Sequence, residues 1–245
     1  MVRKRGLPEI DAELIDELPL LRGLETGLAQ RLLVRAELHQ CRDRDLLFRE
    51  GERARRLYIL LDGLVELYAG DKGRQAGVLL AWPPETFLPA AAVSAEPYLM
   101  SARTLGPARL LSLPAATLRR EVARSPELAR RIMLILSGQF RMAVRHIKNL
   151  KLRSGTERLA AFLLRLVAES DTPGYADLPL PKGLLASRLG LSPATLSRAL
   201  ATLREHGVEV RGSRVILADR ARLERFCAPD PLIDGRELGL AVTAI

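Results

Sequence analysis

Ser192, Pro193, Ala194, Thr195, Ser197 and Arg198 fall within the short stretch LSPATLSRALATLREHG of this 245-residue chain. Their side chains are suited to polar recognition. An arginine guanidinium can give two parallel N–H bonds to the O6 and N7 of a guanine, and hydroxyls bond to base edges or to phosphate. Such a set works only if a rigid element holds it on one exposed face.

The element that would do so is a helix packed against another. In KGLLASRLGLSPATLSRALATLREH (182–206), Leu184, Leu185 and Leu189 make an apolar stripe, and Ala186 is small where a second helix must cross. Gly190 suits a turn that needs a positive φ. Ser192 then caps a new helix, and Pro193 takes its first position, where no N–H is required. Leu196, Ala199, Leu200 and Leu203 recur at helical spacing on one face, while Ala194, Arg198, Ala201 and Glu205 fall opposite, with Ser197 on the flank. The pattern predicts a helix-turn-helix whose second helix enters a DNA major groove; a plain helical hairpin is the weaker alternative. Beyond Gly207, Val208 and Val210 alternate with charged residues, Gly212-Ser213 supplies a two-residue turn, and Val215-Ile216-Leu217 returns. This reads as a β-hairpin wing, with Arg211 and Arg214 flanking its tip where they would meet phosphate.

The charge distribution agrees. The chain carries 38 Lys+Arg and 29 Asp+Glu, a net charge of +9. Residues 1–118 hold 16 of each sign, so the other 22 basic and 13 acidic residues put the whole excess in 119–245. A polyanion-binding half joined to a neutral half would show this asymmetry. RNA or a membrane surface would attract the same charge; the helix-turn-helix decides for duplex DNA. A composition 48% hydrophobic and 27% charged is globular, and the length suits two modest domains. No apolar run is long enough to span a bilayer, and MVRKRGLPEI lacks the apolar core of a signal peptide, so a cytoplasmic protein without a membrane partner is expected. Cys41 and Cys227 cannot build a disulfide framework or a Cys-rich metal site, and no metal is expected. Phosphate-cradling glycine loops, HExxH and GxSxG do not occur in the sequence; with three histidines, an enzyme is not expected.

Along the chain, Leu14, Leu18, Leu21, Leu24, Leu28, Leu32 and Leu33 predict one or two lead-in helices over 7–37. From about Leu38 to Leu113, short strands alternate with turns: Leu46-Leu47-Phe48, Leu57 to Leu61, Leu64 to Tyr68, Val78 to Trp82 and Ala108 to Leu113. The spacing suggests a jelly-roll type of β-sandwich or barrel. A long helix follows from Pro126. Ile132, Ile135, Gln139, Met142, His146 and Leu150 approximate a seam along it, as for pairing with a second copy. Thr156 to Glu169 predicts another helix, 171–181 a turn-rich connector with one short strand, and residues after Cys227 a loosely attached tail. The expected fold is α+β, with domains at 1–124 (β-roll), 125–153 (dimerisation helix) and 154–227 (winged helix-turn-helix), and a tail over 228–245.

This order, with LFREGERARRLYILLDGLVELY (47–68) and LLASRLGLSPATLSRALATLREHGV (184–208), resembles the catabolite-activator and fumarate/nitrate-reduction regulator (CRP/FNR) superfamily over about residues 12–227. The resemblance implies a cyclic-nucleotide-binding-like roll and a homodimeric transcription factor, most often an activator. Its partners would be a palindromic operator and RNA polymerase, with an effector in the roll acting through the long helix. The segment ETFLPAAAVSAEPYLMSARTL (85–105) departs from the cyclic-nucleotide members. Pro89-Ala90-Ala91 stands where they have a Gly-Glu turn, and Tyr98-Leu99-Met100 lies near their arginine; Arg103 would serve only in a register shifted by several residues. No cyclic AMP binding is therefore expected, because nothing pairs with the phosphate. Cys41 alone cannot replace the cysteine cluster of the iron–sulfur members, so no such cluster is expected either. An apolar effector pocket lined by Trp82, Phe87, Leu99 and Met100 remains, as in the haem-dependent gas sensors of the superfamily. His39, Cys41 and His146 are the candidate axial ligands, each more simply read as a structural residue. In the recognition helix, Ser197 and Arg198 match the oxygen-sensor branch, but its glutamate is replaced by Ala194. Non-specific nucleic-acid binding and ligand-independent regulation are the alternatives.

Overall fold

Along Leu57-Tyr58-Ile59-Leu60, successive side chains enter different cores, because a strand turns alternate residues to opposite faces. Leu57 and Ile59 pack with Leu111 and Leu113 beneath a layer of helices, while Leu60 packs with Val65, Phe87 and Leu110 between two sheets. A strand apolar on both faces belongs to a sheet covered on both sides. The computed structural model describes residues 3–5, 18–71 and 74–235. They form two units that divide inside the long helix, between Arg141 and Met142.

The first unit contains β1 (Arg3–Arg5), β2 (Glu37–Cys41), β3 (Leu46–Phe48), β4 (Arg56–Asp62), β5 (Val65–Asp71), β6 (Arg74–Ala81), β7 (Glu85–Phe87), β8 (Ser101–Thr104) and β9 (Ala108–Pro114). They form a five-stranded sheet, β1-β2-β9-β4-β7, and a four-stranded sheet, β3-β8-β5-β6. The sandwich expected from the sequence is present, and its predicted strands recur at β3, β4, β5, β6 and β9. Gly63 joins β4 to β5 with φ +89; a Cβ there would lie 2.5 Å from the Pro107 carbonyl oxygen, so only glycine fits. Helices α1 (Thr26–Leu33), α2 (Pro89–Ser94) and α3 (Ala115–Arg124) complete the unit with the first part of α4 (Pro126–Leu152). Of the lead-in pattern, Leu14 lies outside the described residues, Leu18 and Leu21 sit in turns, and α1 carries Leu28, Leu32 and Leu33 inward.

The long helix is present, but most of its expected seam turns inward. Ile132 and Ile135 are buried in the core beneath the five-stranded sheet, Met142 is buried, and Gln139 Nε2 donates to the Thr86 carbonyl at 2.9 Å. His146 is half-buried, and Leu150 is exposed apart from a tip that lies near Gly190. The exposed apolar stripe is the neighbouring one: Met133 (59% exposed), Phe140 (71%), Val144 (40%) and Ile147 (56%). Both stripes have coiled-coil spacing, and the chain's own packing uses the first.

The second unit contains the end of α4, then α5 (Gly155–Ala168), β10 (Tyr175–Asp177), α6 (Lys182–Arg188), α7 (Pro193–Arg204), β11 (Val208–Arg211), β12 (Arg214–Leu217), α8 (Arg220–Cys227) and α9 (Pro231–Asp234). Ser154 and Glu157 close a capping box that starts α5. Leu159, Leu163, Leu185, Leu196, Leu203, Val215 and Leu223 share one core, so four helices and the wing sheet β10-β12-β11 fold as a unit. The residues after Cys227 are not loose as far as Gly235. They form α9, which ion pairs hold against the end of α4. Residues 236–245 of the expected tail lie outside the described residues.

Candidate nucleic-acid interface

Helices α6 and α7 cross through small and branched side chains: Leu185, Ala186 and Leu189 on one, Leu196, Ala199 and Leu203 on the other, all buried. Gly190 turns the chain with φ +63. Ser192 caps α7 as its sequence implies; its hydroxyl accepts the Thr195 N–H at 3.1 Å and lies 2.8 Å from the Thr195 hydroxyl. Pro193 occupies the first helical position.

The inward leucines fix which side chains face out. Ser192, Pro193, Ala194, Thr195, Ser197 and Arg198 are all exposed, together on the N-terminal half of α7. Ser197 Oγ donates to the Pro193 carbonyl at 3.1 Å, so its lone pairs are left to accept from a ligand. No ion pair among the described residues engages the Arg198 guanidinium, which can therefore take both acceptors of a guanine without first breaking a contact. The wing is a tight hairpin, with Arg211 and Arg214 cross-strand partners at its tip. Arg214 lies 4.7 Å from the Tyr175 ring centre and 3.8 Å from Asp177 Oδ1. Arg211 pairs with Glu209 at 2.8 Å.

Sequence reasoning missed two arginines that support this face, Arg158 buried and Arg188 half-buried. Arg158 donates from Nε to the Leu189 carbonyl at 3.0 Å and from Nη1 to the Arg153 carbonyl at 2.8 Å, tying the turn of the motif to the end of α4. Arg188 lies 5.1 Å from the Phe162 ring centre, and burial pushes its pKa down to about 10. Both sit in otherwise apolar helical stripes, the one sequence signal that could have marked them.

The residues expected to line an effector pocket do not converge. Phe87 is buried in the sandwich core, Trp82 and Met100 are half-buried, and Leu99 is 81% exposed. Tyr98 turns inward instead, donating its hydroxyl to the Arg56 carbonyl, while Leu99 lies in the bend that follows and faces out. Rings fill the space between the sheets: Phe48 stacks on Tyr98 at 3.8 Å and Tyr58 on Phe87 at 5.9 Å. A hollow of about 530 Å³ lies elsewhere in this unit, lined by Gly27, Gln30, Arg31, Val34, Arg35 and Arg120.

The candidate haem ligands are engaged or shielded. His39 is buried with Nε2 2.6 Å from Ser112 Oγ. Burial raises the pKa of the Cys41 thiol to about 11, which disfavours the thiolate that a metal would need. Burial and the Arg158 charge lower the pKa of His146, which belongs to the second unit. The phosphate-binding turn is replaced as well: Pro89-Ala90-Ala91 opens α2, and Arg103 is held by Glu66 at 2.7 Å and stacked over Tyr68. Among the described residues no helix is long and apolar enough to cross a membrane, and no three His, Cys, Asp or Glu cluster as metal ligands.

Comparison with known proteins bears on both units. A family model for the cyclic nucleotide-binding domain matches residues 38–125, and one for the Crp-like helix-turn-helix domain matches residues 157–226. The nitrogen fixation regulation protein FixK of Bradyrhizobium diazoefficiens is 30% identical over 190 residues, covering 75% of this chain and 79% of FixK. The chain belongs to the CRP/FNR superfamily. As a member of it, the chain is a DNA-binding transcription regulator that uses the helix-turn-helix just described. The CRP-like cAMP-activated global transcriptional regulator of Mycobacterium tuberculosis is 27% identical over 185 residues, covering 73% of this chain and 83% of that protein. The structure of FixK2 from Bradyrhizobium japonicum shares the fold, with a TM-score of 0.67 at 24% identity over 80% of this chain and 98% of that one.

Proposed function

We propose that this CRP/FNR regulator acts as a homodimer on a two-fold symmetric operator, reading each half-site with Arg198, and that its effector is not a cyclic nucleotide. The uncommitted, exposed Arg198 on the capped end of α7 carries the reading. Replacement of a glutamate by Ala194 leaves no acceptor for a cytosine N4 at that position, so the half-site differs from the one the oxygen-sensor branch prefers. The stripe of Met133, Phe140, Val144 and Ile147 supports pairing of two α4 helices in parallel, which sets half-sites one or two helical turns apart. Contact with RNA polymerase and an activating role come with the family resemblance.

A second reading, regulation without any ligand, is favoured by the ring stack between the sheets. Titrating cyclic AMP into an operator-binding assay separates these readings from a nucleotide-gated one: the affinity is expected to stay constant, and a rise with cyclic AMP overturns the effector assignment.

The deciding experiment measures Arg198→Ala on a selected palindrome and on random duplex at fixed salt. A loss of about 1–3 kcal/mol confined to the palindrome is expected. Equal loss on both DNAs would make the chain a non-specific nucleic-acid binder. In parallel, Phe140→Asp is expected to give monomers by light scattering, with palindrome affinity falling to that of a single half-site; an intact dimer overturns the seam.

A further inference from the structure

Three segments meet at the end of α4 in the second unit: the last turn of the helix, the turn of the helix-turn-helix, and the chain after α8. Arg153, only 6% exposed at its side chain, gives Asp234 a bidentate pair at 2.7 and 2.6 Å. Asp234 also accepts the Asp230 N–H at 2.9 Å, and Asp230 caps α9 by accepting the Leu232 N–H. Lys148 reaches Asp230 at 3.4 Å, and Arg145 donates to the Gly235 carbonyl at 2.9 Å. Gly235 itself is required, since a Cβ there would stand 2.3 Å from the Pro231 carbonyl oxygen. So α4 and the residue just after it offer Arg145, Lys148 and Arg153 to the segment around a four-residue helix, which answers with Asp230, Asp234 and the Gly235 carbonyl.

Arg153 carries the link onward. Its carbonyl accepts Arg158 Nη1, whose Nε bonds the Leu189 carbonyl in the turn that precedes α7. Gly155 and Gly190 let the pieces close up: a Cβ on Gly155 would collide with Leu191, and Gly190 lies against Leu150. The path from Asp234 to the recognition helix thus runs through a partly buried carboxylate and two buried arginines, Arg153 and Arg158.

We propose that residues 230–235 are a strap that fixes the angle between the end of α4 and the recognition helix, with Asp234, Arg153 and Arg158 as positioning residues for operator binding. The proposal rests on the dimer reading above. When two copies pair along α4, that angle sets the separation of the two recognition helices, and hence whether both can occupy their half-sites at once. A slack strap leaves every phosphate-contacting side chain in place but lowers the effective concentration of the second half-site contact. An Arg–carboxylate fork resists rotation because both N–H bonds must stay coplanar, which a lysine cannot reproduce.

The test uses full-length wild type, Asp234→Ala and Arg153→Lys, each checked for a cooperative melt and dimeric mass. Affinity is measured for the selected palindrome, for the same palindrome with its half-site spacing changed by one base pair, and for random duplex of equal length. Both variants are expected to lose about tenfold on the palindrome, to stay within about twofold on random duplex, and to discriminate less between the spacings. Arg153→Lys keeps the charge and a bond donor, so it remains informative if Asp234→Ala folds poorly. Parallel losses on all three DNAs, or no loss, overturn the strap. A wild type with no palindrome preference instead overturns the regulator reading on which the strap depends.

Discussion

In the winged unit the side chains suited to binding point outward from a buried frame; in the roll the side chains expected to bind point inward and are used by packing, or point away. Arg198 sits one residue before the buried Ala199 and two after the buried Leu196, so α7 anchors and presents within a single turn. Phe87, expected to face an effector, instead stacks with Tyr58 and shares its core with Leu60 and Leu110. A recognition helix needs only local periodicity to be correct. A pocket needs several strands to leave room at the same place, and volume depends on every ring that could fill it. Buried charge is paired in both units, Arg153 by Asp234 in the winged unit and Glu66 by Arg103 in the roll, while Glu85 in the roll accepts the Trp82 backbone N–H at 3.2 Å.

The comparison breaks most directly at Leu203, which is fully buried in the core shared by α5, α7 and the wing. Leu203→Ala is expected to destabilise the winged unit by about 2–5 kcal/mol. If operator binding survives a loss of that size in urea unfolding, the outward face does not depend on the inward one. An intermediate effect is expected in the roll. Burial raises the Glu85 pKa from 4.5 to about 8, so the folded roll holds this proton more tightly than the unfolded chain does. The stability associated with the protonated form is fully present below pH 4.5 and is lost as the pH rises through 8. Between those limits wild type is expected to lose stability relative to Glu85→Gln by at most about 1.4 kcal/mol per pH unit. Parallel stability curves for the two proteins from pH 5 to 9 would show that the carboxyl is not in a desolvated site.

The same contrast explains what could be read from residues alone. The capped turn Ser192-Pro193, the inward leucines of α7 and the Gly212-Ser213 hairpin are short-range features, and each is where its spacing placed it. The strands of the roll were legible for the same reason. The seam on α4 was not, because two apolar stripes run along one helix, and which of them is free depends on the sheet and helices that cover Ile132 and Ile135. The docking of α9 was illegible too: APDPLIDG looks like a tail until Arg145, Lys148 and Arg153, about eighty residues earlier, are seen to face it. Arg158 and Arg188 were hidden by their neighbours, since a long side chain can cross an apolar stripe to reach a carbonyl or a ring that the sequence does not show.

The smallest expected effects belong to the wing, and there the two arginines differ. Arg214 is 53% exposed, steadied by the Tyr175 ring and only loosely paired with Asp177, so its charge is available to a phosphate with its side chain already ordered. Arg214→Ala is expected to weaken palindrome and random duplex alike and to flatten the slope of log K against log salt by about 0.9, the share of one phosphate contact. Arg211 is more exposed, but its 2.8 Å pair with Glu209 already satisfies part of its charge, and binding DNA would bring that carboxylate towards phosphate as well. Arg211→Ala is therefore expected to weaken binding less than Arg214→Ala, because the unpaired Glu209 repels the backbone only across an exposed, screened surface. Glu209→Gln sharpens the distinction. If the pair holds Arg211 back, removing the carboxylate is expected to strengthen binding to both DNAs equally and to steepen the salt slope; an unchanged slope would mean that the wing tip does not approach the duplex at all.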